Sequence, residues 1–366
     1  MQYDRAKSTW LSESEIGFCL VFCQIRISFI WGPLVGETLD LPGPEVRLGS
    51  AAHCDLVIPD RTVSHVHGIL RIESEGIRVI DTASKNGTYV DNVRINDAYI
   101  KPESSITMGT STFRVQLLEE VMDLPLSNRE HFGHVVGKSI AMRRIYPVLE
   151  AFANARETLL LQGEPGTGKR AIAEAIHAAS DRSNEPFLTF DCANRPNNTL
   201  EMELFGGATG GSEFHRGCVD QADGGTLVLE EIGALPIELQ KKLLGLLDKH
   251  TMRPLGAQTE WQLDVRIIAT TTRDLDVEMG KHRFREELHH RLSMRKIRLP
   301  PLRDRVEDIP ILVRHFQNAW CSRNGKLASI SESVLEALKV APWPGNVEEL
   351  RNAVENLLMH QILERT

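Results

Sequence analysis

Short runs of alternating apolar and polar residues fill the first third of the chain. Gln24 to Ile30 alternates, and so do Gly68 to Ile72, Gly76 to Ile80 and Thr112 to Leu117. Turn signals lie between them at Leu41-Pro42-Gly43-Pro44, Ile58-Pro59-Asp60 and Lys85-Asn86-Gly87. Alternation sends successive side chains to opposite faces of a strand, so many short strands with turns between them predict an all-β sandwich. Residues 119–134 are acidic and polar and include Pro125, which predicts a linker. Beyond about residue 135 the pattern becomes apolar runs of strand length: Thr158 to Gln162, Phe187 to Phe190, Thr226 to Leu229 and Val265 to Ala269. Helical stretches separate them, including Arg170 to Ala179 and Pro236 to Lys249. A strand that is apolar throughout is buried on both faces, so this alternation predicts a parallel sheet covered by helices. The end of the chain, Ile309 to Trp320, Ser331 to Val340 and Val347 to Leu363, reads as helices.

The expected organisation is therefore multidomain, and 366 residues accommodate two or three domains. An extension occupies 1–23, an all-β sandwich 24–118, a linker 119–134, an α/β domain 135–303 and a helical lid 304–366. The balance of 42 Lys+Arg against 50 Asp+Glu gives a net charge of -8, which argues against binding nucleic acid or an anionic membrane through bulk charge. Cysteines Cys19, Cys23, Cys54, Cys192, Cys218 and Cys321 are scattered without a C-x-x-C pair, as in a reduced cytoplasmic protein. The apolar run from Ile16 to Cys23 follows acidic Glu13 and Glu15 and leads into an alternating strand, unlike an export signal. No segment reaches the roughly 20 apolar residues of a membrane span, so no membrane partner is expected.

Chemistry enters at Gly163-Glu164-Pro165-Gly166-Thr167-Gly168-Lys169, which follows a strand and opens a helix. Glycines at both ends let backbone N–H groups wrap phosphates, and Lys169 reaches the β/γ-phosphates. The residue after the lysine, usually a Ser or Thr that helps hold Mg²⁺, is Arg170. An acidic pair ending an apolar strand should complete such a site, and Glu230-Glu231 after Thr226 to Leu229 supplies it. Glu230 would hold Mg²⁺ through water and Glu231 would act as general base on the attacking water. ATP and Mg²⁺ are the expected cofactors.

These residues sit in a wider resemblance. Residues 135–363 resemble the AAA+ domain of bacterial sigma-54 activators, the enhancer-binding proteins. Gly163 to Lys169 resembles the family's GETGTGK, and Ala222-Asp223-Gly224-Gly225-Thr226-Leu227 matches ADGGTL. Phe284-Arg285-Glu286-Glu287-Leu288-His289-His290-Arg291-Leu292 resembles FREDLYYRL. Leu299-Pro300-Pro301-Leu302-Arg303 matches LPPLR, and Pro342-Trp343-Pro344-Gly345-Asn346-Val347 matches PWPGNV. The resemblance implies a homo-oligomeric ring with ATP between subunits. It makes Arg285 and Arg291 arginine fingers, whose guanidinium groups offset transition-state charge on a neighbour's nucleotide.

Departures from the family pattern carry information of their own. The family's GAFTGA loop, which touches the sigma factor, should follow Glu203-Leu204-Phe205-Gly206. Here the chain runs Gly207-Ala208-Thr209-Gly210-Gly211, shorter and without the Phe, which should weaken contact with sigma-54 RNA polymerase. Glu230 stands where Asp is usual, one methylene longer, moving the carboxylate by about 1.5 Å. The Asn that restrains the general base is Asp191, the sensor Asn is Thr272, and the arginine expected after Val347 is Glu348. Arg351, one turn on, would compensate for that acid near the phosphates. Together these changes imply slowed or lost hydrolysis with nucleotide binding retained.

The β-rich part resembles a forkhead-associated (FHA) domain. The matching residues are Leu48-Gly49, Cys54 to Asp60, Val63-Ser64-His65-Val66-His67 and Ser84-Lys85-Asn86-Gly87-Thr88. The resemblance implies recognition of a phosphothreonine peptide by loops at one end of a sandwich. Ser64 matches the serine that bonds phosphate, and Asn86 the asparagine that bonds the peptide backbone. Two arginines of the pattern are Ser50 and His65 here, so Lys85, Arg61 or protonated His65 would have to supply the charge. A sandwich that binds a partner without phosphate is the alternative, and His67 reads as structural.

Sigma-54 activators usually end in a helix-turn-helix, and residues 347–366 are nearly consumed by one helix, so no DNA-reading segment is expected in this sequence. Three functions fit. One is an ATP-driven transcription regulator with phosphopeptide input, another a hydrolysis-deficient adaptor that recruits phosphorylated partners, and the third an ATPase remodelling a different target.

Overall fold

The computed structural model describes residues 9–14, 17–41, 44–51, 54–73, 75–208, 214–257 and 259–363. The chain divides into two units, residues 1–126 and 127–366.

In the first unit two sheets face each other. One runs in the order Thr9–Ser14, Gly17–Trp31, Ser111–Pro125, Ser105–Met108, Thr88–Val90 and Val93–Ile95, with Thr38–Leu41 also paired to Gly17–Trp31. The other runs Asp97–Ile100, Gly76–Asp81, Gly68–Glu73, Glu45–Gly49 and Leu56–Val57. The alternation legible in the sequence decides what lies inside. Ile25, Ile27 and Phe29 point inward from one sheet, Leu70, Ile72, Ile77 and Val79 from the other, and all are buried. Burying each such side chain contributes about 1.5–3 kcal/mol, which fixes the register because a one-residue slip would expose the whole set.

Two boundaries differ from the sequence expectation. The strand Gly17–Trp31 begins before residue 24, and Ser111–Pro125 runs through 119–125, where composition predicts a linker. Val121 is opposite Cys23 and Pro125 opposite Cys19, after a register shift between Leu117 and Val121. The ladder is made by backbone groups, so acidic side chains do not prevent it, and the shift absorbs the mismatch.

The second unit is built on a five-stranded, all-parallel sheet in the order Phe187–Asp191, Thr226–Glu230, Arg266–Thr271, Leu159–Gln162, Lys296–Arg298. Leu159–Gln162 is buried at every position, as its unbroken apolar run predicts. The edge strand Lys296–Arg298 is short and charged and was not foreseen. Because the strands are parallel, Gln162, Thr271 and Glu230 end at the same edge of the sheet, and the segments that follow them meet there. This is the edge at which open α/β sheets bind ligands. A helical lid follows, made of Ile309–Asn324, Glu332–Val340 and Asn346–Leu363 around Leu312, Trp320, Leu350, Val354 and Leu358.

Among the described residues no helix is long and apolar enough to cross a membrane.

Candidate functional site

The loop Gly163 to Gly168 leaves the strand Leu159–Gln162 and enters the helix Lys169–Ala178. Gly163 N–H donates to Thr271 O at 3.2 Å, tying the start of the loop to the neighbouring strand end. Lys169 is almost fully buried, and its Nζ donates to the carbonyls of Gly163 and Glu164, both at 2.9 Å. Burial holds its pKa below the ordinary lysine value, opposed by the carboxylates Glu231, Glu230 and Glu164. Positive φ at Gly166 (74°) and Gly168 (100°) lets the loop turn tightly enough to aim its amides inward.

The acidic pair lies at the adjoining strand end. Burial pushes the Glu230 carboxyl above its usual range, with Arg170 opposing the shift. Glu230 Oε1 is buried without a hydrogen bond, and Arg170 Nη1 lies 3.9 Å from it. Glu231 takes up a left-handed backbone (φ 51°) as the chain leaves the strand. Its Oε2 accepts from Thr272 Oγ1 at 2.7 Å and from Thr272 N–H at 3.1 Å. Asp191 does not take part in this restraint. It accepts from Ala193 N–H at 2.8 Å and Asn194 Nδ2 at 2.6 Å and so shapes its own loop.

The lid reaches over the same loop. Asn346, fully buried, accepts from Leu302 N–H at 2.7 Å and donates to Pro165 O at 2.9 Å and Glu164 Oε2 at 3.2 Å. Arg303 grips Glu164 with two hydrogen bonds, which draws the Glu164 pKa below the carboxylate norm. Arg305, buried, donates to Thr167 O at 2.9 Å. Between loop and lid lies a cavity of about 550 Å³ whose walls include His134, Val136, Gly168, Arg305, Phe316 and Arg351.

Residues 135–298 match the model of the sigma-54 interaction domain, and residues 303–363 match that of the AAA+ ATPase lid domain. Residues 135–298 are a sigma-54 interaction domain and residues 303–363 an AAA+ lid, homologous to NtrC and Nif regulators. The DNA-binding transcriptional regulator NtrC of Rhizobium meliloti (strain 1021) is 43% identical over 227 residues, 61% of this chain and 47% of the relative. The nitrogen fixation protein AnfA of Azotobacter vinelandii is 38% identical over 253 residues, 67% of this chain and 48% of the relative. The chain thus spans about half the length of the curated relatives it matches. The structure of NtrX from Brucella abortus in complex with ATP aligns at 36% identity with a TM-score of 0.58, covering 61% of this chain and 50% of that one. Residues 28–118 match a separate model, the cytoplasmic domain of an inner membrane component of the T3SS.

Within these two domains the expected site residues fall into two groups. Lys169, Arg170, Glu230, Glu231 and Thr272 converge at the sheet edge, with Glu164 to Gly168 beneath the lid. Arg351 lines the cavity but lies 3.7 Å from Glu348, on its own helix. Arg285 and Arg291 stand apart from this group. Arg285 Nε donates to Ile237 O at 3.1 Å, and Arg291 pairs with Asp248 at 3.3 Å and donates to Leu247 O at 3.2 Å. The loop expected to touch the sigma factor, Gly207 to Gly211, falls mostly outside the described residues, since 209–213 are among those not described. Sequence reasoning assigned no role at the loop to Asn346, Arg303 or Arg305. The motifs PWPGNV and LPPLR, which hold Asn346 and Arg303, were the available signal for those two, while Arg305 lies two residues past LPPLR.

In the first unit the loops carrying Ser50, Ser64, His65, Lys85 and Asn86 are tied together. Ser50 N–H donates to Ser64 O at 3.0 Å and Lys85 N–H to Ser64 Oγ at 3.0 Å, while Asn86 Nδ2 donates to Thr62 O at 2.7 Å. His65 O accepts from Ala51 N–H at 3.1 Å. His67 is fully buried and fastens the set, accepting on Nδ1 from Ser64 N–H at 3.1 Å and donating from Nε2 to Gly87 O at 3.1 Å. Arg94, which the sequence reading did not select, packs on Gly87: a Cβ there would lie 2.7 Å from its Nε.

Proposed function

We propose that this chain is an ATP-binding transcription regulator of the sigma-54 activator type, taking phosphothreonine-peptide input through its β-sandwich and working in the cytoplasm. The observation that carries the first part is the meeting of Lys169, Glu230, Glu231 and Thr272 at one sheet edge, beside a lid cavity of about 550 Å³. The amides of 163–169 and the Lys169 ammonium would bind the phosphates, and the cavity would enclose the base. The ATP complex of NtrX, a protein of related fold, supports the same occupant. Glu231 is the general base, and Arg285 and Arg291 reach the nucleotide of a neighbouring subunit in a homo-oligomeric ring.

The phosphopeptide reading is supported by the joined loops of Ser64 and Asn86. With Ser50 and His65 in place of arginines, Lys85 supplies cationic charge beside Ser64. Loss of binding to a phosphothreonine peptide library in Ser64→Ala is the expected result, and equal retention would count against it.

Mg²⁺ is not well suited by the residues present. No hydroxyl follows Lys169, and Arg170 extends its guanidinium toward Glu230, the carboxylate that would hold the ion's water. A second reading, a hydrolysis-deficient adaptor that recruits phosphorylated partners, is favoured by the bonds from Thr272 that hold Glu231. ATP turnover by the purified chain, with and without sigma-54, separates the two. Turnover above that of Lys169→Ala supports the regulator; turnover equal to it, with ATP still bound, supports the adaptor.

A further inference from the structure

The misfit of the metal points to a substitute. Arg170 is the second residue of the helix Lys169–Ala178, directly after the phosphate-binding lysine. Its Nε donates to Glu174 Oε1 at 3.0 Å, one turn on, and this anchors the guanidinium. From there Nη1 lies 3.9 Å from Glu230 Oε1, a buried oxygen with no hydrogen bond. Glu174 also lies 3.8 Å from His134 Nε2, and both residues border the lid cavity. The strand end therefore already has a permanent cation facing its first acid.

We propose that the Arg170 guanidinium, held between Glu174 and Glu230, replaces the divalent cation of this site, so that the chain binds ATP free of metal. The proposal rests on the ATP-binding reading above. A guanidinium is always charged, carries five donors in a planar fork and suits phosphate oxygens, so it can neutralise both a carboxylate and a phosphate without an ion between them. A dication placed beside it would be repelled, and the position after Lys169 offers a guanidinium in place of a hydroxyl. Glu230, longer than Asp by one methylene, reaches toward the guanidinium.

The test is ATP binding to the full chain by calorimetry, in excess Mg²⁺ and in EDTA, for wild type and Arg170→Thr. Wild-type affinity should agree within about threefold between the two buffers, while Arg170→Thr should lose about tenfold or more when metal is chelated. A tenfold or greater loss for the wild type in EDTA would overturn the proposal. Electron paramagnetic resonance of Mn²⁺ with ATP and the wild-type chain gives an independent readout. The protein should leave the Mn²⁺–ATP spectrum unbroadened, and a new protein-bound Mn²⁺ signal would also overturn it. Absence of ATP binding in both buffers would remove the ATP reading itself, a failure distinct from metal dependence.

Discussion

Thr272 Oγ1 donates to Glu231 Oε2 at 2.7 Å, joining the residue in the sensor position to the candidate general base. A second bond, from Thr272 N–H at 3.1 Å, holds the same oxygen. Glu231 must break at least the shorter of these before it can turn to a water. A hydrogen bond to a carboxylate is worth about 1.5–3 kcal/mol net, enough to slow a step by roughly tenfold or more. Thr272→Val keeps the side-chain shape and removes the hydroxyl, so ATP turnover should rise by about that factor. Turnover that stays at the wild-type level in a steady-state phosphate-release assay would contradict the restraint.

Asn346 and Arg303 both tie the lid to the loop at Glu164, but they should differ in weight. The Arg303–Glu164 pair is about half exposed, with side chains 53% and 39% accessible, and exposed pairs contribute about 0–1 kcal/mol. Asn346 is fully buried, and its removal orphans Leu302 N–H and Pro165 O. Urea unfolding of the second unit should show a loss of about 2–3 kcal/mol for Asn346→Ala. Arg303→Ala should cost under about 1 kcal/mol in the same measurement. Equal losses would mean that the lid is held by charge and not by the buried amide.

Gly166 lies where the loop passes directly under the lid. A Cβ built on it would lie 2.1 Å from Gly345 O, and its φ of 74° is strained for any L side chain. Gly166 O also accepts from Glu348 N–H at 3.2 Å. Gly166→Ala should therefore push the lid off the loop and speed hydrogen exchange at the amide of Glu348. Unchanged protection there would show that the lid does not depend on this contact.

His67 gives the sandwich a pH dependence of definite sign. Burial holds its pKa below the ordinary histidine value of about 6.5. As pH falls, the unfolded chain takes up the proton first, so the contribution is complete above about pH 6.5 and declines below it. Hydrogen-exchange protection factors at residues 64–87, which take out the intrinsic pH dependence of the amide rate, should fall between about pH 6.5 and 5.5, a trend His67→Ala should flatten while lowering overall protection. A wild type that is flat across this range would contradict the buried neutral ring.

Much of this was legible in the chain because burial on both faces leaves a plain signal. Leu159 to Leu161, Leu227 to Leu229 and Ile267 to Ala269 are unbroken apolar runs, and their shared polarity brings the P-loop, Glu231 and Thr272 to one edge. The inward alternation at Ile25, Ile27 and Phe29 marked the sandwich equally well. Residues 119–125 were illegible as strand because Glu119, Glu120, Asp123 and Pro125 give the segment a linker's composition, although its backbone still pairs Val121 with Cys23. Lys296–Arg298 is too short and too charged to stand out. The contact of Asn346 with Glu164 joins residues 182 positions apart, and only the fold brings them within reach. The position of Glu230 was legible, but the nearness of Arg170 depends on the helix carrying it back toward the strand end.

The central claim is that the loop from Gly163 to Lys169 binds ATP, and calorimetric titration of the full chain with ATP tests it most directly. Saturable binding, one ATP per chain, weakened at least about tenfold by Lys169→Ala, is the predicted result. No binding by the wild type, or equal affinity in Lys169→Ala, would contradict it.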